Sequence, residues 1–173
     1  MNLTWLNGKA GRRSGDVQEL NSQITALNRS QAVIEFKLDG TIITANENFL
    51  KTMGYELSEI RGRQHSLFVE PAYRESAAYR KFWQELGRGE FHSAQYLRIA
   101  KGGRQVWIQA TYNPVFDADG TVFKVVKFAT DITAQKEAEA ESKGVHDAIE
   151  RVFGVIEFGL DGTIITANGN FLK

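Results

Sequence analysis

Apolar and polar positions change period several times along this chain, and each change marks an element. Residues 33–36 are a β-branched and aromatic run, Asp39-Gly40 is a strong hairpin-turn dipeptide, and 41–45 return as a second strand. Asn46 is placed to cap a short helix carrying Phe49 and Leu50, which Gly54 terminates. A second helical piece covers 57–60, before the polar turn Arg61-Gly62-Arg63. Pro71 opens a helix, because its missing amide proton would be unpaired in a first turn anyway. In that helix, expected over 71–86, Tyr79, Phe82, Trp83 and Leu86 fall at i, i+3, i+4 and i+7, one apolar stripe that Gly87 ends. Three longer strand signals follow at 91–100, 105–116 and 122–130, separated by Gly102-Gly103 and by Asp117-Ala118-Asp119-Gly120. Pro114 lacks a ladder donor and marks a strand end, edge or bulge. Two strands, several short helices and a three-strand meander predict an α+β domain on one antiparallel sheet, with helices on one face.

The flanks read differently. Val17, Leu20, Ile24 and Leu27 keep a 3-4-3 spacing in an amphipathic or coiled-coil helix within 1–31. Residues 134–142 are rich in Ala, Glu and Lys, and Val145, Ile149 and Val152 extend a thin apolar seam, so 134–153 reads as a helical connector. The chain then repeats itself: VIEFKLDGTIITANENFLK at 33–51 returns as VIEFGLDGTIITANGNFLK at 155–173, with 17 of 19 positions identical. The offset of 122 residues is too long for a solenoid and is about one domain. The expected organisation is an N-terminal helix at 1–31, a complete domain at 32–133, the connector at 134–153, and the start of a second domain at 154–173.

Composition narrows the chemistry. Lys plus Arg and Asp plus Glu each number 21 in 173 residues, so no electrostatic footprint favours nucleic acid or an anionic membrane. No apolar run approaches the roughly 20 residues that span a bilayer, and the polar start Met1-Asn2-Leu3-Thr4 is unlike a signal peptide, so a cytoplasmic chain is expected. The absence of cysteine removes disulfides, thiolate nucleophiles and cysteine-ligated metals. His65, His92 and His146 are too scattered for a histidine metal site. No nucleophile elbow, phosphate loop or dinucleotide fingerprint appears, and Glu35 and Glu157 are repeat equivalents rather than a catalytic pair, so no enzyme is expected.

The element order, with Asp39-Gly40, Asn46, Gly54-Tyr55, Pro114-Val115 and Asp131-Ile132-Thr133, resembles the PAS sensory domain over 32–133 and again over 154–173. The wording from Phe82-Trp83 to Asp131-Ile132-Thr133 is similar to the tandem PAS modules of soluble methyl-accepting chemotaxis receptors, including aerotaxis and biofilm-dispersion receptors. The resemblance implies a five-stranded antiparallel sheet and a pocket between its inner face and the helices. It also implies signal output through the Asp-Ile-Thr junction, with Asp131 and Thr133 as the hinge; alternatively these two cap the connector helix. A homodimer or swapped oligomer and a downstream chemotaxis signalling domain with its kinase complex are the implied partners. Without cysteine, thiol-dependent photochemistry is excluded. FAD is the cofactor the resemblance favours, with Trp83, Trp107, Asn46 and His65 as candidate binding residues, of which Asn46, His65 and Trp83 match the flavin-binding aerotaxis domain. The Arg-His-Pro-Asp stretch of that domain is Val69-Glu70-Pro71-Ala72 here. Haem on His65 or His92, or no cofactor with Trp83 and Trp107 as core residues and Asn46 as a cap, are the alternatives. A ligand-free oligomerisation scaffold is the competing function.

Overall fold

The computed structural model describes residues 4–173, with side chains from Gly15 onward, so the polar start at Met1 to Leu3 lies outside the described residues. The chain divides after Asp131 into two compact units.

The first unit begins with α1 (Thr4–Ser30), whose 27 residues make a rod of about 40 Å. The hairpin β1 (Ala32–Phe36) and β2 (Ile42–Ala45) follows, then α2 (Glu47–Met53), α3 (Leu57–Ile60), a 3-10 turn at His65–Phe68, α4 (Pro71–Arg74) and α5 (Ala77–Gly87). The meander β3 (His92–Ile99), β4 (Gln105–Phe116) and β5 (Val122–Asp131) completes it. The strands form one five-stranded sheet in the order β2-β1-β5-β4-β3, every pair antiparallel. This is the expected α+β architecture. The meander is contiguous, and the first hairpin docks beside its last strand, so that β1 and β5 lie in the middle of the sheet and bury Ile34, Phe36, Val125 and Lys127.

Register decides which side chains meet. Ile34 stands opposite Lys127, Lys127 opposite Tyr112, and Tyr112 opposite His92, so these four cross the inner face in one row. Beneath the helices lie Phe36, Phe49, Phe68, Leu86, Ile108 and Val125, all essentially without solvent exposure. The helix expected over 71–86 is two helices. Ser76 is extended (ψ 157°) and its Oγ accepts the Tyr79 amide at 3.1 Å, so this side chain offers the backbone a cap in place of continuity. Pro114 sits inside the end of β4, next to the irregularity at Val115 and Phe116.

The second unit holds α6 (Thr133–Val152) and the hairpin β6 (Ile156–Phe158) with β7 (Ile164–Ala167). The sequence repeat is a repeat of structure: Ile156↔Ala167, Glu157↔Thr166 and Phe158↔Ile164 reproduce Ile34↔Ala45, Glu35↔Thr44 and Phe36↔Ile42, including the same irregularity after the glutamate. In the first unit β1 also pairs with β5, and Phe36 is fully buried. Its counterpart Phe158 is 56% exposed.

Candidate functional site

The site grows from the row on the inner face. β5 contributes Lys127, β4 Tyr112 and β3 Arg98; from the helical side come His65, on the 3-10 turn, and Tyr79, on α5. His65 is fully buried, with Nδ1 3.0 Å from the Tyr79 hydroxyl and Nε2 3.0 Å from the Tyr112 hydroxyl. A neutral imidazole donates from one nitrogen and accepts at the other, so one ring satisfies both contacts. Arg98 Nη2 donates to the Tyr112 oxygen at 3.2 Å, Nη1 donates to the Leu97 carbonyl at 2.9 Å, and the guanidinium lies 4.5 Å from the Tyr96 ring centroid. Lys127 Nζ lies 4.9 Å from the Tyr112 ring centroid and 5.6 Å from that of Phe49. The turn that carries His65 is held by the first hairpin, since the His65 amide donates to the Gly40 carbonyl at 2.9 Å. Gly40 has φ +83°, and a Cβ there would stand 3.2 Å from the Trp83 indole, so the hairpin turn can approach the cluster only without a side chain.

Electrostatically the cluster is unusual. Burial, reinforced by Arg98 and Lys127, holds the His65 pKa well below that of free imidazole. Burial brings Lys127 down to about 8, opposed by Tyr112. Burial works to raise Tyr112, yet the charges of Lys127 and Arg98 together with their hydrogen bonds outweigh it and lower the phenol. Tyr96, farther along β3, is pushed up to about 12, chiefly by burial. His65 is therefore a neutral hydrogen-bond relay between two tyrosines rather than a cation.

The candidate residues separate into four groups. His65 and Trp83 do meet, ring centroids 5.4 Å apart, with Phe36 and Phe82 around them. Trp107 does not join them, because it alternates out of phase with the buried Val106, Ile108, Ala110 and Tyr112 and so projects from the opposite face of the sheet. Asn46 is wholly committed to backbone: Oδ1 accepts from the Phe49 and Val33 amides at 3.0 and 2.9 Å, and Nδ2 donates to the Gln31 and Asn28 carbonyls at 2.8 and 3.0 Å. It caps α2 and ties the end of α1 to the hairpin. Asn46→Ala is expected to cost about 2 kcal/mol, cap and tether together. Urea unfolding measures this; a loss under about 0.5 kcal/mol would mean that the bonds are replaced by water. Asp131 ends β5 and Thr133 begins α6, with only Ile132 between them. Sequence reasoning missed Arg98, Lys127 and Tyr112, although each sits in phase with the apolar positions of its strand.

A flavin ring sandwiched in this interior needs flanking rings about 7 Å apart, twice the ~3.5 Å contact distance. Here Phe36, His65, Phe82, Trp83 and Tyr112 already touch each other at centroid separations of 4.9–6.4 Å. As packed, these residues do not fit an isoalloxazine. Trp83 Nε1 is nonetheless buried with no hydrogen-bond partner.

Strand order and burial define one antiparallel sheet with helices over its inner face and a buried polar cluster between them. The model of the PAS fold matches residues 42–129, and the chain belongs to this family. It is 48% identical over 149 residues to the biofilm dispersion protein BdlA of Pseudomonas aeruginosa, covering 86% of this chain and 36% of that protein. To the aerotaxis receptor of Escherichia coli it is 28% identical over 104 residues, covering 60% of this chain and 20% of the receptor. The chain thus spans well under half the length of these curated relatives. Among solved structures, a light-oxygen-voltage domain studied with a flavin analogue matches at TM-score 0.56 and 26% identity, over 73% of this chain and 96% of that one. A PAS domain from Colwellia psychrerythraea matches at TM-score 0.58 and 19% identity, over 66% and 98%. The chain is therefore a PAS sensory module related to chemotaxis and aerotaxis receptors. Among the described residues no helix is long and apolar enough to cross a membrane.

Proposed function

We propose that the chain is a cytoplasmic, non-enzymatic input module of a chemotaxis-type transducer, passing the state of its interior through the Asp131-Ile132-Thr133 junction to α6. The observation that carries this reading is the junction itself. β5 bears Lys127 in the buried cluster, and one residue after its end α6 begins, so a shift of β5 reaches the helix with a single backbone residue between them. This reading takes 32–133 as one PAS domain and 154–173 as the start of a second. Dimerisation is supported by the exposed apolar stripe Val17, Leu20, Ile24 and Leu27 on α1 and by the exposed Phe158, Ile164 and Phe171 of the second hairpin, which suit a swapped or paired copy. The kinase complex and signalling domain of such receptors are the downstream partners this reading requires.

FAD is the cofactor supported by the relationship to the aerotaxis receptor and by the unpartnered Trp83 indole. It would enter only if Trp83 swings away from Phe36 and His65. Haem has less support, since His65 would have to give up one of its two tyrosines to free a ring nitrogen for iron. The purified chain tests the cofactor through its visible spectrum: flavin bands carry the FAD reading, and a spectrum without flavin or Soret bands removes both. The junction is tested separately by amide hydrogen exchange over 132–140 on reduction or ligand addition. A change that Asp131→Ala and Thr133→Ala abolish is expected; exchange that never responds would sink signal passage and leave the oligomerisation scaffold.

A further inference from the structure

Arg98 and Lys127 are 4% and 1% exposed, and burial of a charge without a countercharge is among the costliest states a protein maintains. Among the described residues no carboxylate comes within ion-pair distance of either, although ten such pairs form elsewhere, nearly all at solvent-facing positions. Residues 1–14 contain no Asp or Glu that could supply one. The polar contacts of Arg98 are a carbonyl and a phenol oxygen, and its Nε is buried with no acceptor. Arg98 also lines a cleft of about 220 Å³ between the start of α4 and strand β3, together with Val69, Glu70, Tyr73, Tyr96 and Leu97. That volume equals about seven waters.

From this geometry we infer that the cleft is a binding site for a small organic carboxylate, which seats on Arg98. A guanidinium is a fork of donors that matches a carboxylate; Nη1 and Nη2 of Arg98 already donate, and Nε, sealed as packed, is the arm without an acceptor that the ligand would take up. Tyr73 and Tyr96 form apolar walls for a short carbon chain, and Val69, buried at the same cleft, limits its length. Lys127 stands behind Tyr112 and adds positive potential without reaching the ligand. Glu70, exposed at the rim, disfavours dianions and any polyanionic headgroup. The ligand would connect β3 with α4, beside the His65–Tyr112 bond that ties the 3-10 turn to β4. The inference deepens the sensory reading by naming the chemistry of its input. It stands or falls on binding alone, whereas signal passage is read at residues 132–140, so the two can fail separately.

The test titrates the 173-residue chain at constant pH and ionic strength, replacing sodium chloride by sodium acetate, propionate or succinate. A saturable rise in melting temperature and a matching calorimetric isotherm are expected, with the monocarboxylates tighter than succinate. Arg98→Met keeps the side-chain volume and discards the charge, so it should fold at least as well in chloride and bind at least about tenfold more weakly. Glu70→Gln leaves the core untouched and should tighten binding by about threefold. No response beyond chloride, an undiminished response in Arg98→Met, or an equal response to inorganic phosphate would overturn the assignment. So would weaker binding in Glu70→Gln, or a tyrosinate absorbance at neutral pH, which would make Tyr112 the countercharge.

Discussion

Replacing Phe36 by alanine is expected to remove about 3–5 kcal/mol of stability, the range for a fully buried aromatic whose site cannot collapse. Collapse is blocked here because the neighbours are rings held by something else. His65 is fixed by two tyrosine hydroxyls, Tyr112 is bonded to Arg98, and Trp83 lies against the backbone of Gly40, so none of them is free to fill the void. For a domain of about 100 residues this corresponds to a fall of roughly 15–30 °C in melting temperature. Phe36→Leu, which keeps most of the volume, should lose about half as much. Thermal unfolding followed by circular dichroism decides. If the alanine variant loses under about 1 kcal/mol, the ring cluster is plastic, and the argument that it is closed to a flavin falls with it.

Stability should climb, not fall, as pH rises from about 8 to about 10. Lys127 titrates near 8 in the folded chain against about 10.5 unfolded, chiefly because burial disfavours the ammonium. Between those values the unfolded chain binds the proton that the folded chain has released, so unfolding free energy increases with pH, by about 3 kcal/mol if fully realised. Below pH 8 both states are protonated and the contribution is constant. Tyr112 adds to the slope in the same direction, since its folded pKa is lowered. Tyr73, Tyr79 and Tyr96, all raised by burial, work oppositely above pH 10 and end the climb. On the acid side, His65 stays neutral when folded, so stability declines below about pH 6.5. Urea unfolding across pH 7 to 10 should give this profile, and Lys127→Met should flatten it and start from a higher value at pH 7. A flat profile in the parent chain would show that the ammonium is not paying a burial penalty.

The hairpin, the helix cap and the meander were legible because each rests on local chemistry. Asp39-Gly40 dictates its turn, Asn46 its cap, and the alternation Val106, Ile108, Ala110, Tyr112 its buried face. That same alternation holds Trp107 away from the interior, but the unbroken run Val106-Trp107-Ile108 blurs it until the pairing with β3 is known. The central role of His65 was not legible. The residues before it, Arg61 to Gln64, read as a surface turn, and only the bridge of Gln64 to Thr41 and the distant hydroxyls of Tyr79 and Tyr112 bring the ring inside. Arg98 and Lys127 show a different kind of signal: a basic residue in phase with its strand's apolar positions, easily dismissed as a break in the pattern.

The asparagine tether has a consequence for how long assemblies of such modules behave. Asn168 repeats the bonds of Asn46 at an offset of 122 residues, accepting the Val155 and Phe171 amides and donating to the carbonyls of Phe153 and Glu150 at the end of α6. The last turn of α6 is therefore gripped by the hairpin that follows it. In a series of modules built this way, each linker helix would end in the grip of the module after it. A rotation of such a helix would carry the following hairpin with it through these four bonds.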